Sequence, residues 1–179
     1  MIAAVVGPSG AGKDTLIAGA CALRPELRLV RRVITRPTEA GGEDFEGVTA
    51  VEFQRRRALG EFALDWQAHG LSYGIPKAQL KSDGPVLFNG SRAALSAAFA
   101  SMPELVVILV TAPFDVLASR LAARGRETVE DVRGRLARAG FALPHGVQAR
   151  VVVNDGAADE GIARFLAALY PDSANRCNK

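Results

Sequence analysis

The stretch GPSGAGKDTL occupies residues 7–16 and directly follows IAAVV, a short apolar run at residues 2–6. Its glycines and lysine have the spacing G-x4-G-K, and the residues that follow have the composition of a helix. Between a strand and a helix, such a loop binds phosphate, because glycine lets backbone N–H groups point inward and the helix N-terminus adds positive charge. The nine residues expected to hold a nucleotide are Gly7, Pro8, Ser9, Gly10, Ala11, Gly12, Lys13, Asp14 and Thr15.

One position of this loop departs from the usual pattern. After Gly-Lys one expects Ser or Thr, whose hydroxyl holds magnesium, but here Asp14 comes first and the hydroxyl follows as Thr15. Mg²⁺ prefers oxygen ligands and commonly takes one or two protein carboxylates while it keeps several waters. We therefore expect Asp14 to hold Mg²⁺, directly or through a water, with the Thr15 hydroxyl on a phosphate beside it. The alternative is that Asp14 only caps the helix N-terminus, which favours a carboxylate in its first turn.

The bulk composition indicates one globular α/β unit. The 179 residues are 49% hydrophobic and 23% charged, which is ordinary for a single folded domain. We assign residues 1–170 to that domain and 171–179 to a flexible tail. Aromatic residues make up only 6% of the chain, which argues against a nucleic-acid surface. No apolar run approaches the roughly 20 residues of a membrane helix, so we expect a cytoplasmic protein without a membrane partner. Cys21 and Cys177 form no metal or redox motif, and Cys21 is expected to be a small buried side chain.

Strand-like and helix-like segments alternate along the chain. This pattern predicts a doubly wound, mainly parallel sheet with helices on both faces and ligands at the carboxyl ends of the strands. A substrate-binding insert is expected at residues 35–83 and an arginine-rich lid at residues 120–138. The predicted strands cover residues 2–6, 29–34, 61–66, 85–90, 105–112 and 149–155, and the predicted helices cover 13–23, 50–60, 91–99, 113–125 and 161–170.

The predicted lid is the most arginine-rich part of the sequence. A solvated basic face is the alternative interpretation of such a run. A glycine break after a strand and a helix favours a segment that closes over the transferring phosphoryl group and excludes water. Together with Lys13, which meets the charge that develops there, the candidate catalytic residues are Arg124, Arg126 and Arg135, and the rest of the cluster consists of Arg120, Arg133 and Arg138.

Two further stretches have the composition of binding segments. In TRP, residues 35–37, Arg36 follows a strand end and is a candidate for a substrate phosphate. Of Arg31 and Arg32, strand alternation sends only one to a given face, and the sequence leaves open which. AHGLSYGIP, residues 68–76, is predicted to be a binding loop that contains Tyr73, with His69 as likely to be structural as functional.

The motifs GPSGAGK, TRP, HGLSYGIP and RLAARGR…VRGRLARA resemble those of the guanylate-kinase-like group over nearly the whole chain. Within that group, GKD, AHGLSYGIP and NGSR look most like the ribose 1,5-bisphosphate phosphokinases. The resemblance implies ATP and Mg²⁺ as cofactors and a sugar bisphosphate as acceptor. It places the adenine beside Asn154 and Asp155, and the acceptor candidates that it adds to Arg36 are Tyr73, Asn89, Ser91 and Arg92.

Two departures separate this sequence from guanylate kinases. Those enzymes follow TRP with a second arginine and a tyrosine, whereas here Glu39 takes the arginine position and the next tyrosine is Tyr73. Their strand with two aspartates is replaced by LFNGSR, residues 87–92, which has no carboxylate. Guanylate kinase with an altered site remains the alternative enzyme. A non-catalytic guanylate-kinase-like module is the alternative from another class, although such modules typically lose the phosphate loop that is present here.

Overall fold

Strands and helices alternate along most of the chain. The computed structural model describes residues 1–38, 43–124, 132–133 and 142–171, with Arg124 described only as a helical position. In chain order the elements are β1 (Ile2–Val6), α1 (Lys13–Leu23), β2 (Arg28–Leu29), β3 (Arg32–Ile34), β4 (Phe45–Gly47), α2 (Ala50–Ala58), β5 (Phe62–Ala68), β6 (Leu71–Pro76), α3 (Lys77–Leu80), β7 (Val86–Asn89), a 3₁₀ turn (Arg92–Ala94), α4 (Leu95–Ser101), β8 (Val106–Thr111), α5 (Phe114–Arg124), β9 (Arg150–Val153) and α6 (Ala158–Leu169).

Five of the strands form a parallel sheet in the order β2-β7-β1-β8-β9. The central strand β1 pairs Ala3 with Leu87 on one side and with Val106 on the other. Because all strands run in the same direction, their carboxyl ends meet at one edge of the sheet. The loop after β1, the end of β7 and the end of β9 therefore lie at the same edge.

Two apolar cores cover the two faces of this sheet. Alternate residues of β1 divide between them, with Ala3 and Val5 on one side and Ala4 and Val6 on the other. Helices α1, α5 and α6 cover the first face, whereas α4 and part of a second sheet cover the other. The predicted α/β architecture with helices on both faces is confirmed. The covering side chains include Leu16, Leu117 and Phe165 on the first face, and Leu64, Ile75 and Leu95 on the second.

The second sheet has four strands in the order β4-β3-β6-β5. Strands β5 and β6 form an antiparallel hairpin, and β3 joins β6 antiparallel and β4 parallel. Helix α2 packs on this sheet, where Phe53 stacks on Phe62 with ring centroids 4.8 Å apart. The sequence pattern predicted helix α2 and strand β5 here, but it did not predict a separate sheet.

The predicted binding loop at residues 68–76 is wrong, because most of it is strand β6. The hairpin turns at His69 and Gly70, whose φ angles are 52° and 74°. Two consecutive residues with positive φ form the tight turn that matches the twist of paired strands. The polar composition that indicated a loop therefore belongs to a strand whose alternate side chains face different surroundings.

The predicted strand at residues 29–34 is also wrong as a single element. The Val30 N–H still donates to the Leu87 carbonyl oxygen at 2.8 Å, in the parallel sheet, whereas β3 belongs to the second sheet. The chain therefore passes from one sheet to the other around Arg31. Gln79 on α3, where the chain returns, donates to the Arg31 carbonyl oxygen at 3.0 Å and accepts from the Arg31 N–H at 2.7 Å. The outward and return crossings are thus hydrogen-bonded to each other.

Cys21 lies on α1 and packs, partly buried, against the core on that side of the sheet. Burial raises the pKa of its thiol above the ordinary value. Cys177 lies outside the described residues. Across the described ranges of the chain, none of the helices combines the length and the apolar character that crossing a membrane requires.

Candidate active site

The loop between β1 and α1 is shaped by two glycines at close contacts. At Gly7, with φ of 152°, an added Cβ would lie 2.0 Å from the Val110 carbonyl oxygen. At Gly12, with φ of 87°, it would lie 2.4 Å from Nδ2 of Asn154. A side chain at either position would be strained and would displace a neighbour. The loop therefore depends on glycine for its close packing against β8 and the end of β9, and phosphate binding by it stays a prediction.

Lys13 folds back over this loop. Its Nζ donates to the carbonyl oxygens of Gly7 at 3.0 Å and Pro8 at 3.1 Å. The Lys13 side chain is half-buried. Burial lowers the pKa of Lys13 below its ordinary value of 10.5, the Asp14 charge opposes that shift, and the charges of Arg32 and Arg92 add to it. The positive charges of Arg32 and Arg92 therefore act on the Lys13 ammonium.

Asn154 holds the loop from the end of β9. Its side chain is buried, and Nδ2 donates to the Ala11 carbonyl oxygen at 2.8 Å. The backbone carbonyl oxygen of Asn154 accepts from Arg120 Nη1 at 3.0 Å. The side chain of Asn154 is therefore engaged with the loop, and the contact of this region with a base stays a prediction. A cavity of about 370 Å³ opens here, lined by Gly10, Gly12, Thr15, Leu16, Arg120, Ala123, Asn154, Gly156 and Ala158.

Asp14 is hydrogen-bonded to the end of β7. Oδ1 of Asp14 accepts from Asn89 Nδ2 at 2.9 Å, and the Asn89 backbone oxygen accepts from Arg32 Nη1 at 2.9 Å. Arg32 Nε donates to Oε2 of Glu43 at 3.1 Å, and Arg32 Nη2 contacts the other Glu43 oxygen. A chain of contacts thus runs from the phosphate loop through the parallel sheet to the second sheet.

Two aromatic rings, of Tyr73 and Trp66, lie beside Arg32. The Cζ of Arg32 lies 5.2 Å from the ring centroid of Tyr73 and 5.9 Å from that of Trp66. The two rings are stacked on each other, with centroids 5.3 Å apart and planes inclined by 5°. Arg32 is only 8% exposed. The alternation that the sequence left open is therefore resolved, with Arg32 directed inward and its neighbour Arg31 exposed.

The remaining acceptor candidates follow the ends of two strands, β7 and β3. Ser91 precedes the 3₁₀ turn that Arg92 begins, directly after β7. Burial lowers the pKa of Arg92, and its charge acts on Lys13. Arg36 lies two residues after the end of β3, with its guanidinium carbon 4.3 Å from the ring centroid of Phe45.

The predicted lid is only partly described. Arg126, Arg135 and Arg138 lie outside the described residues, and Arg124 ends helix α5. Their proposed roles stay predictions. Arg133 makes an ion pair with Asp115 at the start of α5.

Glu43 and Trp66 were not singled out from the sequence. Glu43 stands in a polar, glycine-rich stretch, and nothing in that pattern links it to an arginine 11 positions earlier. Trp66 is the only tryptophan of the chain, and its place in a predicted strand suggested packing alone. Both were missed because their partners come from other strands.

The residues near the loop fit a magnesium ion. Asp14 and Thr15 are exposed. Among the described residues, the hydrogen bond to the Asp14 carboxylate comes from Asn89 and uses one of its two oxygens. Within the ranges that the structure describes, no group of three or more His, Cys, Asp or Glu side chains could hold a metal by itself. Mg²⁺ does not need such a group, because it is usually bound by one or two carboxylates together with waters and substrate phosphates.

Solved structures that are named as kinases are similar to the chain in fold. The chain superposes on guanylate kinase from Anaplasma phagocytophilum with a TM-score of 0.69 and 19% identity, over 96% of this chain and 85% of that one. A gluconokinase from Sinorhizobium meliloti matches with a TM-score of 0.54 and 16% identity, over 97% and 93% of the two chains. These likenesses define the class as the P-loop kinase fold.

The family follows from similarity in sequence. The ribose 1,5-bisphosphate phosphokinase PhnN of Ruegeria sp. (strain TM1040) is 48% identical over 97% of this chain and 93% of that protein. The corresponding protein of Pseudomonas fluorescens (strain SBW25) is 44% identical over 92% of each. The chain belongs to the ribose 1,5-bisphosphate phosphokinase family.

A second kind of relative is longer. The bifunctional ribose 1,5-bisphosphokinase-thymidine phosphorylase of Cupriavidus necator is 51% identical over 92% of this chain, but the chain spans only 28% of that protein. No protein-family model matches the chain.

Proposed function

We propose that the protein transfers the terminal phosphoryl group of ATP to the 1-phosphate of ribose 1,5-bisphosphate, which gives ADP and 5-phosphoribosyl 1-diphosphate. The observation that carries this proposal is the glycine-rich loop that leads into Lys13 and Asp14, together with the hydrogen bond that joins Asp14 to Asn89 at the end of β7. Such an arrangement suits a site in which two phosphate groups meet. The named activity of the relatives supports the choice of acceptor.

In this reaction an oxygen of the acceptor 1-phosphate forms a bond to the terminal phosphorus of ATP, and the bond from that phosphorus to the ADP oxygen breaks. Both partners are anions, so most of the catalysis consists of positioning and charge neutralisation. Lys13 leaves the carbonyl oxygens of Gly7 and Pro8 and contacts the transferring group. Arg92 lies toward the acceptor phosphate. Magnesium held by Asp14, with the Thr15 hydroxyl on a phosphate beside it, would neutralise charge on the outer phosphates of ATP.

The end of β7 favours a sugar acceptor over a guanine nucleotide. Asn89 carries an amide where a base reader would need a carboxylate, and this amide is already hydrogen-bonded to Asp14. Asn89 and Ser91 lie near the sugar hydroxyls in this proposal, and Arg36 and Tyr73 hold the second phosphate. Arg124, Arg126 and Arg135 close over the transferring group from the lid. The protein acts in the cytoplasm, where ATP is available, and needs no nucleic-acid partner.

The test is incubation of the purified protein with ATP, Mg²⁺ and either ribose 1,5-bisphosphate or GMP, followed by mass detection of products. We expect a new sugar diphosphate and equimolar ADP with the first acceptor, and at least tenfold less ADP with GMP. Efficient transfer to GMP with none to the sugar would replace the proposed acceptor with a guanine nucleotide. ATP binding without transfer to either acceptor would contradict the proposal as a whole.

A further inference from the structure

We propose that Arg32 is a positioning residue that ties the second sheet to the Asp14 carboxylate, so that one side chain aligns the acceptor side of the site with the metal side. The inference rests on the proposed function in one respect, namely that Asp14 holds Mg²⁺. It adds a role for a residue that touches neither the metal nor the nucleotide loop directly.

The link between Arg32 and Asp14 runs through one residue. Arg32 Nη1 donates to the backbone oxygen of Asn89 at 2.9 Å, and the side chain of Asn89 donates to Asp14 at 2.9 Å. Asn89 is 9% exposed and ends β7, and the next N–H, of Gly90, donates to the Val5 oxygen at 2.9 Å. The peptide between is therefore held from both sides, by β1 and by an arginine of the other sheet.

The geometry of Arg32 suits this task. A guanidinium has five N–H donors in a rigid plane, so it can fix several acceptors at defined directions. Here Nε and Nη2 engage Glu43, Nη1 engages Asn89, and Cζ lies 5.2 Å from the ring centroid of Tyr73. A lysine would keep the charge but could not hold Glu43 and Asn89 at once in this plane. Outer-shell groups that orient a metal ligand commonly change metal affinity by about 10–100-fold when they are removed.

Arg31 supplies a matched control. It is the preceding residue and also pairs with a carboxylate, since its Nε lies 2.9 Å from Oδ1 of Asp44. That pair is exposed, with 48% of the Arg31 side chain and 79% of the Asp44 side chain accessible. A conservative change at Arg31 therefore alters the preceding residue and the same kind of ion pair, but not the link to Asp14.

The experiment measures ATP binding by calorimetry across a Mg²⁺ titration, without any acceptor, for Arg32→Lys and Arg31→Lys. We expect Arg32→Lys to need about tenfold more Mg²⁺ for half-maximal gain in ATP affinity, with little change in affinity when Mg²⁺ is absent. Arg31→Lys should match the unaltered protein in both measurements. An unchanged Mg²⁺ requirement in folded Arg32→Lys would overturn the proposal, as would an equal shift in Arg31→Lys.

Two further variants keep the test decisive. Asn89→Ala removes the amide between Arg32 and Asp14, so the double variant with Arg32→Lys should need no more Mg²⁺ than the worse single variant. Additive shifts would mean that the two residues act separately and would overturn the link. If Arg32→Lys does not fold, Glu43→Gln keeps the arginine while weakening its fork, and it should shift the Mg²⁺ requirement in the same direction; no shift there contradicts the proposal.

Failure of this proposal is distinguishable from failure of the proposed function. The titration contains ATP and Mg²⁺ only, so its outcome does not depend on which acceptor the protein uses. A Mg²⁺ shift in Arg32→Lys together with no transfer to ribose 1,5-bisphosphate would overturn the acceptor and leave the role of Arg32 intact.

Discussion

At the scale of single residues, Lys13 is the side chain whose removal should affect transfer most and folding least. Its described hydrogen bonds are made to the backbone carbonyl oxygens of Gly7 and Pro8, and the Pro8 oxygen also accepts from the Ala11 N–H. We expect Lys13→Met to fold normally and to lose on the order of 3 kcal/mol of transition-state stabilisation, roughly a hundredfold in rate.

The measurement is initial-rate kinetics together with thermal unfolding. Lys77→Met is the control, because Lys77 is an exposed lysine that also begins a helix. A near-normal rate in Lys13→Met would contradict the mechanism proposed above.

A substitution at Asp14 can distinguish a metal-binding role of this residue from a helix-capping role. The structure shows no side-chain hydrogen bond that caps α1, whose N-cap residue is Gly12, and the Asp14 carboxylate accepts from Asn89 instead. We expect Asp14→Asn to raise the Mg²⁺ concentration needed for half-maximal rate, because the substitution keeps the size and removes the charge.

Asp159→Asn is the matched control, since Asp159 also lies in the first turn of a helix, α6. A lower unfolding temperature in Asp14→Asn with an unchanged Mg²⁺ requirement would leave only the effect of a carboxylate at a helix start.

At the scale of elements, the end of β9 supports the phosphate loop. Asn154→Ala removes the donor to the Ala11 carbonyl oxygen and leaves that buried acceptor without this bond. We expect a loss of about 1–3 kcal/mol in the free energy of unfolding and weaker ATP binding, measured by denaturant titration and calorimetry. Glu26→Gln, which alters an exposed ion pair with Arg24, should change neither quantity appreciably. Normal stability and normal binding in Asn154→Ala would show that the loop holds its own shape.

The elements that could be predicted from sequence are those with local signals. The phosphate loop is recognisable from its closely spaced glycines. Strands β1, β7 and β8 are largely apolar runs, as expected for strands buried on both faces. The passage between sheets at Arg31 has no such signal, because β2 and β3 together look like one strand. Residues 68–76 carry polar groups and glycines, and this composition predicted a loop although their side chains alternate as in a strand.

The same distinction explains which parts of the site could be predicted. Residues 7–15 are contiguous, so their chemistry is visible in one motif. The contacts of Arg32 with Asn89 and Glu43 join positions 57 and 11 residues apart, and they exist only once two sheets have packed. Sequence pattern could not choose between Arg31 and Arg32, because both fall within one predicted strand, whereas β3 begins only at Arg32.

At the scale of the whole molecule, the two sheets share one apolar core. Leu64 and Ile75 of the second sheet pack in the same cluster as Val6, Phe88 and Leu95. We expect Ile75→Ala, at a fully buried position, to cost about 2–5 kcal/mol and to lower the stability of both sheets together. Far-ultraviolet circular dichroism and the fluorescence of Trp66, the only tryptophan, should report one coincident transition. Separate transitions would mean that the second sheet unfolds independently.

Gln79 gives the connection between the sheets a mechanical character. The chain crosses between them at Arg31 and again near α3, and the amide of Gln79 bonds both the N–H and the carbonyl of Arg31. The two segments that connect the sheets are therefore held together at one point and can act as a single hinge. A rotation of the second sheet about this hinge would move Arg32 relative to Asn89. We expect Gln79→Ala to speed hydrogen exchange of the Arg31 amide and to leave the exchange of β1 unchanged. Equal protection of the Arg31 amide in both proteins would mean that each connecting segment is rigid without the other.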